Sequence, residues 1–157
     1  MLTITFTMLG DVVVKRAISR FGEDIADFRS VWSEVQVDFH EIERQQFKSE
    51  GGRGGGSWPP LSLRYALWKQ RKYPGKPILN LTGELSRQLT TGAGMMIESD
   101  PMRLMLLPTV EYAYFHQQGT KKMPARKPIE LQEEDAMGWI KMIQRYVVQK
   151  AREAESK

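Results

Sequence analysis

Two groups of residues in this chain have types and spacings that could do chemistry. One is a run of five glycines around an arginine, Gly51-Gly52-Arg53-Gly54-Gly55-Gly56, and the other is a pair of histidines, His40 and His116. A glycine-rich loop grips phosphate when lysine and then Ser or Thr follow it, the lysine reaching the terminal phosphates and the hydroxyl holding magnesium. Here Gly51-x-x-x-x-Gly56 runs into Ser57-Trp58, so neither group is in place. The dinucleotide pattern fails too: Gly52-x-Gly54 needs a third glycine at 57 and meets serine, and the segment follows a helical pattern where that motif follows a strand.

The histidines stand 76 residues apart, and His40-Glu41 lacks the second histidine four positions on that a helical zinc site uses. His40 borders an apolar stripe, the position of an ordinary structural or surface histidine. His116 with Glu111 suggests an acid-base pair, but no nucleophile or oxyanion donor accompanies it. The sequence therefore predicts no catalytic residue, no metal ligand and no cofactor.

Nucleic-acid binding is the stronger chemical reading. The stretch RYALWKQRKYPGK sets Arg64, Lys69, Arg71, Lys72 and Lys76 among Tyr65, Trp68 and Tyr73 with no acid between them, and cations interleaved with aromatic rings bind strands. Arg64, Lys69, Arg71 and Lys72 are the candidate DNA-facing residues. Tyr65 and Trp68 are equally explained as the buried side of a short helix, and the cations as a solvated face. Residues 51–127 hold 12 cations and 4 anions, so the basic charge is central in a chain of net +4.

These residues must be positioned by elements that the periodicity announces. The chain has 157 residues, 41% apolar and 27% charged, which fits one folded domain. It has no cysteine, so no disulfide framework or thiolate site, and a cytoplasmic origin is the default. No apolar run approaches a membrane span, and Met1 to Leu9 alternates with threonine, unlike a signal peptide.

Leu2 to Met8 alternates as a strand covered on one face. Asp11 can cap a helix toward Phe21. Ile25, Phe28, Trp32, Val35, Phe39 and Ile42 step by 3, 4, 3, 4 and 3, the inner stripe of a long helix reaching Phe47 and packing on a sheet with Ile4 and Phe6. Residues 49–60 read as a flexible glycine-rich arm. Leu61 to Lys72 predicts a helix, and a short helix after Ile78 bears Leu85 and Leu89. Met95 to Glu98 and Met102 to Leu107 flank Ser99-Asp100-Pro101, the signature of a hairpin that joins the first strand.

Tyr112 to Gln117 predicts a turn or two of helix ended by Gly119, and residues 120–128 a basic, proline-containing loop. A final helix opens on Glu133, Glu134 and Asp135, with Met137, Ile140, Ile143, Tyr146 and Val147 as its apolar face. The fold class is α+β: a small, mainly antiparallel sheet against a long N-terminal helix, with short helices and a C-terminal helix.

The motifs fall in a recognisable order. Trp58-Pro59-Pro60-Leu61-Ser62, Ile78-Leu79 with Thr82-Gly83-x-Leu85, and His116-Gln117-x-Gly119-Thr120 leading to Met123-Pro124-Ala125-Arg126 resemble the phage virion morphogenesis family, the tail completion proteins of phage Mu type, related to head-tail joining proteins of long-tailed phages. The resemblance covers residues 2 to about 150. Lys127 departs from it, since a bare Pro-Phe is common there in relatives.

The resemblance implies a structural virion component rather than an enzyme, made in the bacterial cytoplasm. It would complete the tail or join head to tail, at the head-tail interface or tail end. The expected partners are copies of itself in a ring, a hexamer by expectation, around the DNA passage, together with neck and tail proteins. Arg53, Trp58, Lys121, Lys122, Met123 and Arg126 are then the expected assembly interface. Trp58 would settle the arm against a neighbour, the alternative being that it packs on its own domain. Met123 and Pro124 give the basic loop an apolar centre, which favours a protein neighbour over DNA. A DNA-binding packaging accessory is the competing reading.

Overall fold

The computed structural model describes residues 4–7 and 27–155. The helix expected from Asp11 to Phe21 and the stripe's first residue, Ile25, lie outside the described residues.

The long stripe forms a helix as predicted over Trp32 to Ile42, but the helix starts at Arg29, so Phe28 precedes it instead of lying within it. Helix α1 spans Arg29–Lys48 and buries Val31, Trp32, Val35, Phe39 and Ile42 along one side, because steps of three and four keep a 3.6-residue helix facing one way. Phe28 sits at its N-cap, fully buried, its ring 5.6 Å from that of Tyr146. Its N–H donates to the Pro101 carbonyl at 2.9 Å, which ties the helix start to the hairpin turn. At the other end Ser49 Oγ donates back to the Gln45 carbonyl at 2.8 Å.

Strand β1 is Ile4–Thr7; β2, Met96–Asp100, and β3, Arg103–Leu107, form the hairpin. The antiparallel sheet has the order β1-β3-β2, with Ile4 opposite Leu106 and Phe6 opposite Leu104. Leu104 and Leu106 alternate with the more exposed Arg103 and Met105 and enter the core, the period-two pattern of a one-face-covered sheet.

Helix α2 is Leu63–Lys72, α3 Glu84–Thr91, α4 Tyr112–Gln118 and α5 Glu133–Glu155. Leu85 and Leu89 of α3 join the core beside α1. Among the described residues no helix is long and apolar enough to cross a membrane.

The apolar face predicted for α5 is corrected in part. Ile143, Tyr146 and Val147 pack on the core, but Met137 and Ile140 are exposed, and the inward positions are Trp139 and Met142. Two polar ties decide the rotation. Arg53 holds Asp135 at 2.7 Å, and Trp139 Nε1 donates to Asp38 Oδ2 at 2.8 Å. With Asp135 and Trp139 inward, at about 100° per residue Met137 turns away and Ile140 moves to the flank.

Gly119 closes α4 with φ +74° and ψ 177°, a region that only glycine occupies without strain. A Cβ there would sit 2.7 Å from the Ala125 backbone nitrogen. Gly119→Ala should therefore lower stability by about 1 to 3 kcal/mol. Urea unfolding measures this, and a loss under ~0.5 kcal/mol would show that the loop relaxes freely around the new methyl group.

Candidate functional site

The glycine run is a packing device rather than a phosphate cradle. Gly51 has φ +89°, and a Cβ on it would lie 2.5 Å from the Trp58 ring. Only glycine lets the chain turn there and the indole close over it. Gly52–Gly54 then make one 3-10 turn. Trp58 is 5% exposed, stands edge-on to Phe47 at 5.4 Å, and donates from Nε1 to the Lys127 carbonyl at 2.9 Å. Of the two sequence readings of Trp58, the structure selects packing on its own domain. The reason is an indole N–H that finds its acceptor 69 residues away within the same chain.

Arg53 is likewise engaged internally, through its ion pair with Asp135 beside the start of α5. Arg126, also expected on the assembly surface, is 5% exposed. Its Nε and Nη2 donate to the carbonyls of Pro59 and Pro60 at 2.7 and 2.8 Å. Two consecutive prolines make extended backbone whose carbonyls need outside donors, and a planar guanidinium supplies two at once. Lys121 and Lys122 are exposed and Met123 is half-buried, so these three remain open to a partner.

The DNA-facing candidates divide in the same way. Arg64, Arg71 and Lys72 are exposed on α2. Lys69 is 4% exposed and donates from Nζ to the Pro77 carbonyl. Burial pushes its ammonium below the usual lysine range, with Glu50 opposing that shift.

Lys69 is also the only buried residue of α2. The helix turns its apolar side chains to solvent instead: Leu63 is 77% exposed and Trp68 40%, with Tyr65, Leu67 and Tyr73 exposed beside them. The Tyr65 and Trp68 rings stack at 5.3 Å, and Tyr73 lies 5.8 Å from Trp68. Of the two sequence readings for these rings, the core position is the one that fails. The neighbouring α4 adds exposed Tyr112, Tyr114 and Phe115. The sequence assigned no interface role to Leu63, Leu67 or α4; for the two leucines their alternation with cations was the available signal, and α4 carries no lysine or arginine to give one.

Between the 60–62 segment, α2, the 79–83 loop, α4 and the 122–126 loop lies a groove of about 710 Å³. Leu79, Leu81, Tyr112 and Met123 line it together with Lys69, Lys122 and Arg126, and no carboxylate does. His116 also faces it; burial and then the Arg126 charge push its imidazole below the ordinary range, and its Nδ1 is buried without a partner. No hydrogen bond joins His116 to Glu111, which is exposed at the N-cap of α4, so they do not form the acid-base pair.

His40 is a structural residue. It is buried, its Nδ1 donates to the Leu89 carbonyl at 2.7 Å, and burial lowers its pKa. Among the described residues no group of three or more acidic, histidine or cysteine side chains is placed to hold a metal.

The arrangement offers surfaces for association: an aromatic and leucine-rich face on α2 and α4, exposed cations beside it, and a cationic groove. The model of the phage virion morphogenesis family matches residues 11–148. No curated protein and no solved structure matches the chain.

Proposed function

Because this chain belongs to the phage virion morphogenesis family and therefore acts in building a phage particle, we propose that it is a tail-completion or head-tail joining subunit that assembles as a ring around the DNA passage. The observation that supports this most is α2. A ten-residue helix that buries one lysine and exposes Leu63, Leu67, Tyr65 and Trp68 does not stabilise its own domain by burial. Its composition is that of an interface core, where aromatic residues are enriched and water is excluded on association.

The purified chain is expected to form a closed oligomer of fixed mass, and Leu67→Glu with Trp68→Glu to leave a folded monomer. An aromatic anchor contributes about 2 kcal/mol or more to such an interface, roughly a thirtyfold change in affinity. Light scattering measures the mass. Electron microscopy of particles made with the double variant should show heads and tails unjoined. Complete, infectious particles would overturn the proposal.

A second reading is favoured by the stacked Tyr65 and Trp68 rings beside exposed Arg64, Arg71, Lys72 and Lys76: a DNA-binding packaging accessory. It requires a monomer that binds DNA tightly, with affinity falling steeply as salt rises. Sizing the protein with and without DNA separates the two.

A further inference from the structure

The cationic groove and the outer edge of α5 are complementary, and neither is satisfied within the chain. In the groove, Lys69 and Arg126 are almost wholly buried, yet their hydrogen bonds end on neutral carbonyls, and among the described residues neither forms an ion pair with a carboxylate. Glu50 opposes the effect of burial on Lys69 without pairing with it directly; burying a cation without a directly paired anion is costly, and an arriving carboxylate offsets that cost. Lys122 adds a third positive charge at the rim, and Leu79, Leu81 and Met123 supply apolar wall.

The edge of α5 has the opposite character. Glu133 and Glu134 are exposed in its first turn and make no ion pair among the described residues. Met137 and Ile140 follow them, exposed because Asp135 and Trp139 take the inward positions. Two carboxylates followed by two apolar side chains on one helix edge match a groove of cations and apolar wall, the helix-in-groove mode of recognition.

We infer that the groove of one copy receives the Glu133, Glu134, Met137 and Ile140 edge of the next copy. The contact joins two different patches, so it runs head to tail, and head-to-tail contacts close into rings when the rotation between copies permits. This inference rests on the ring reading above and names its contact: charge sets register while Met137 and Ile140 fill the apolar wall.

The absence of cysteine from the chain makes a direct test available. Lys122→Cys and Glu134→Cys, both at exposed positions, are made in separately tagged chains and co-expressed. Oxidation of the assembled particles should give a disulfide-linked dimer of the mixed pair and none of either like pair. In parallel, Glu133→Lys with Glu134→Lys should weaken association about tenfold or more, and Lys122→Glu on the partner chain should restore part of it. If light scattering shows the closed oligomer but the mixed pair does not cross-link, or like pairs cross-link instead, this contact is overturned and the ring stands. If the wild-type chain remains a monomer both in solution and in particles, the ring reading falls and this contact with it.

Discussion

Trp32→Ala is expected to lower the unfolding free energy by about 3 to 5 kcal/mol, as truncation of a large core aromatic does. The indole is 2% exposed at the centre of the α1 stripe, 6.0 Å from the Phe28 ring. Its Nε1 also donates to the Asp100 carbonyl at 2.9 Å, so it ties α1 to the hairpin as well as filling space between them. Alanine would leave a cavity and an unpaired carbonyl together. Trp32→Phe helps to separate the two contributions, because it keeps most of the ring volume while losing the hydrogen bond, and it should cost about 1 to 3 kcal/mol. Urea unfolding checks both variants. A loss under ~1 kcal/mol for Trp32→Ala would sink the packing of α1 on the sheet.

Glu43→Leu is expected to act in the opposite direction and stabilise the fold by about 1 to 4 kcal/mol at neutral pH. Glu43 lies on α1 with no solvent exposure, and both carboxyl oxygens are without a hydrogen-bond partner. Burial pushes its carboxyl well above the ordinary value of 4.5; the Arg53 guanidinium opposes the shift and Asp135 adds to it. Arg53 already pairs with Asp135, so an apolar residue at 43 does not strip that arginine of its anion.

The pH dependence follows from the direction of the shift. Below about pH 4.5 the group is protonated in both folded and unfolded chains and contributes no pH-dependent difference. As pH rises above that value the unfolded chain loses the proton first, so stability falls until the folded group titrates. The gap between Glu43→Leu and wild type should therefore widen as pH rises from about 4.5, while Glu43→Gln should show a flatter profile than wild type. Thermal unfolding across that range checks it, and a Glu43→Leu variant less stable than wild type at pH 7 would mean that the carboxylate is paired after all.

The resemblance to the phage family was legible because it depends on short motifs in a fixed order, and each motif is a local fact of the chain. Much of the fold was legible for the same kind of reason. Steps of three and four from Phe28 to Ile42, and two apolar runs around Ser99-Asp100-Pro101, specify a helix and a hairpin through interactions between near neighbours. The failure of the phosphate and zinc motifs was equally local, since both require particular residue types within a few positions.

The candidate surface was legible only in part. Lys69 and Arg126 face outward in the sequence reading, and Trp58 does so in one of its two readings, yet all three are buried in the domain. Met137 and Ile140 were read as facing inward, and both are exposed. Each of these outcomes depends on a partner far away in the chain. Arg126 reaches carbonyls 67 and 66 residues back, Trp58 a carbonyl 69 residues on, and α5 is rotated by ties from Asp135 to Arg53 and from Trp139 to Asp38, 82 and 101 residues apart. Periodicity states that a helix has an apolar side, but not which of two overlapping stripes meets the core. Amino-acid type states that a side chain can donate a hydrogen bond, but not whether water or a distant carbonyl accepts it. The sequence alone therefore determined the elements and the family, while the packing of distant segments decided which side chains were left for a partner.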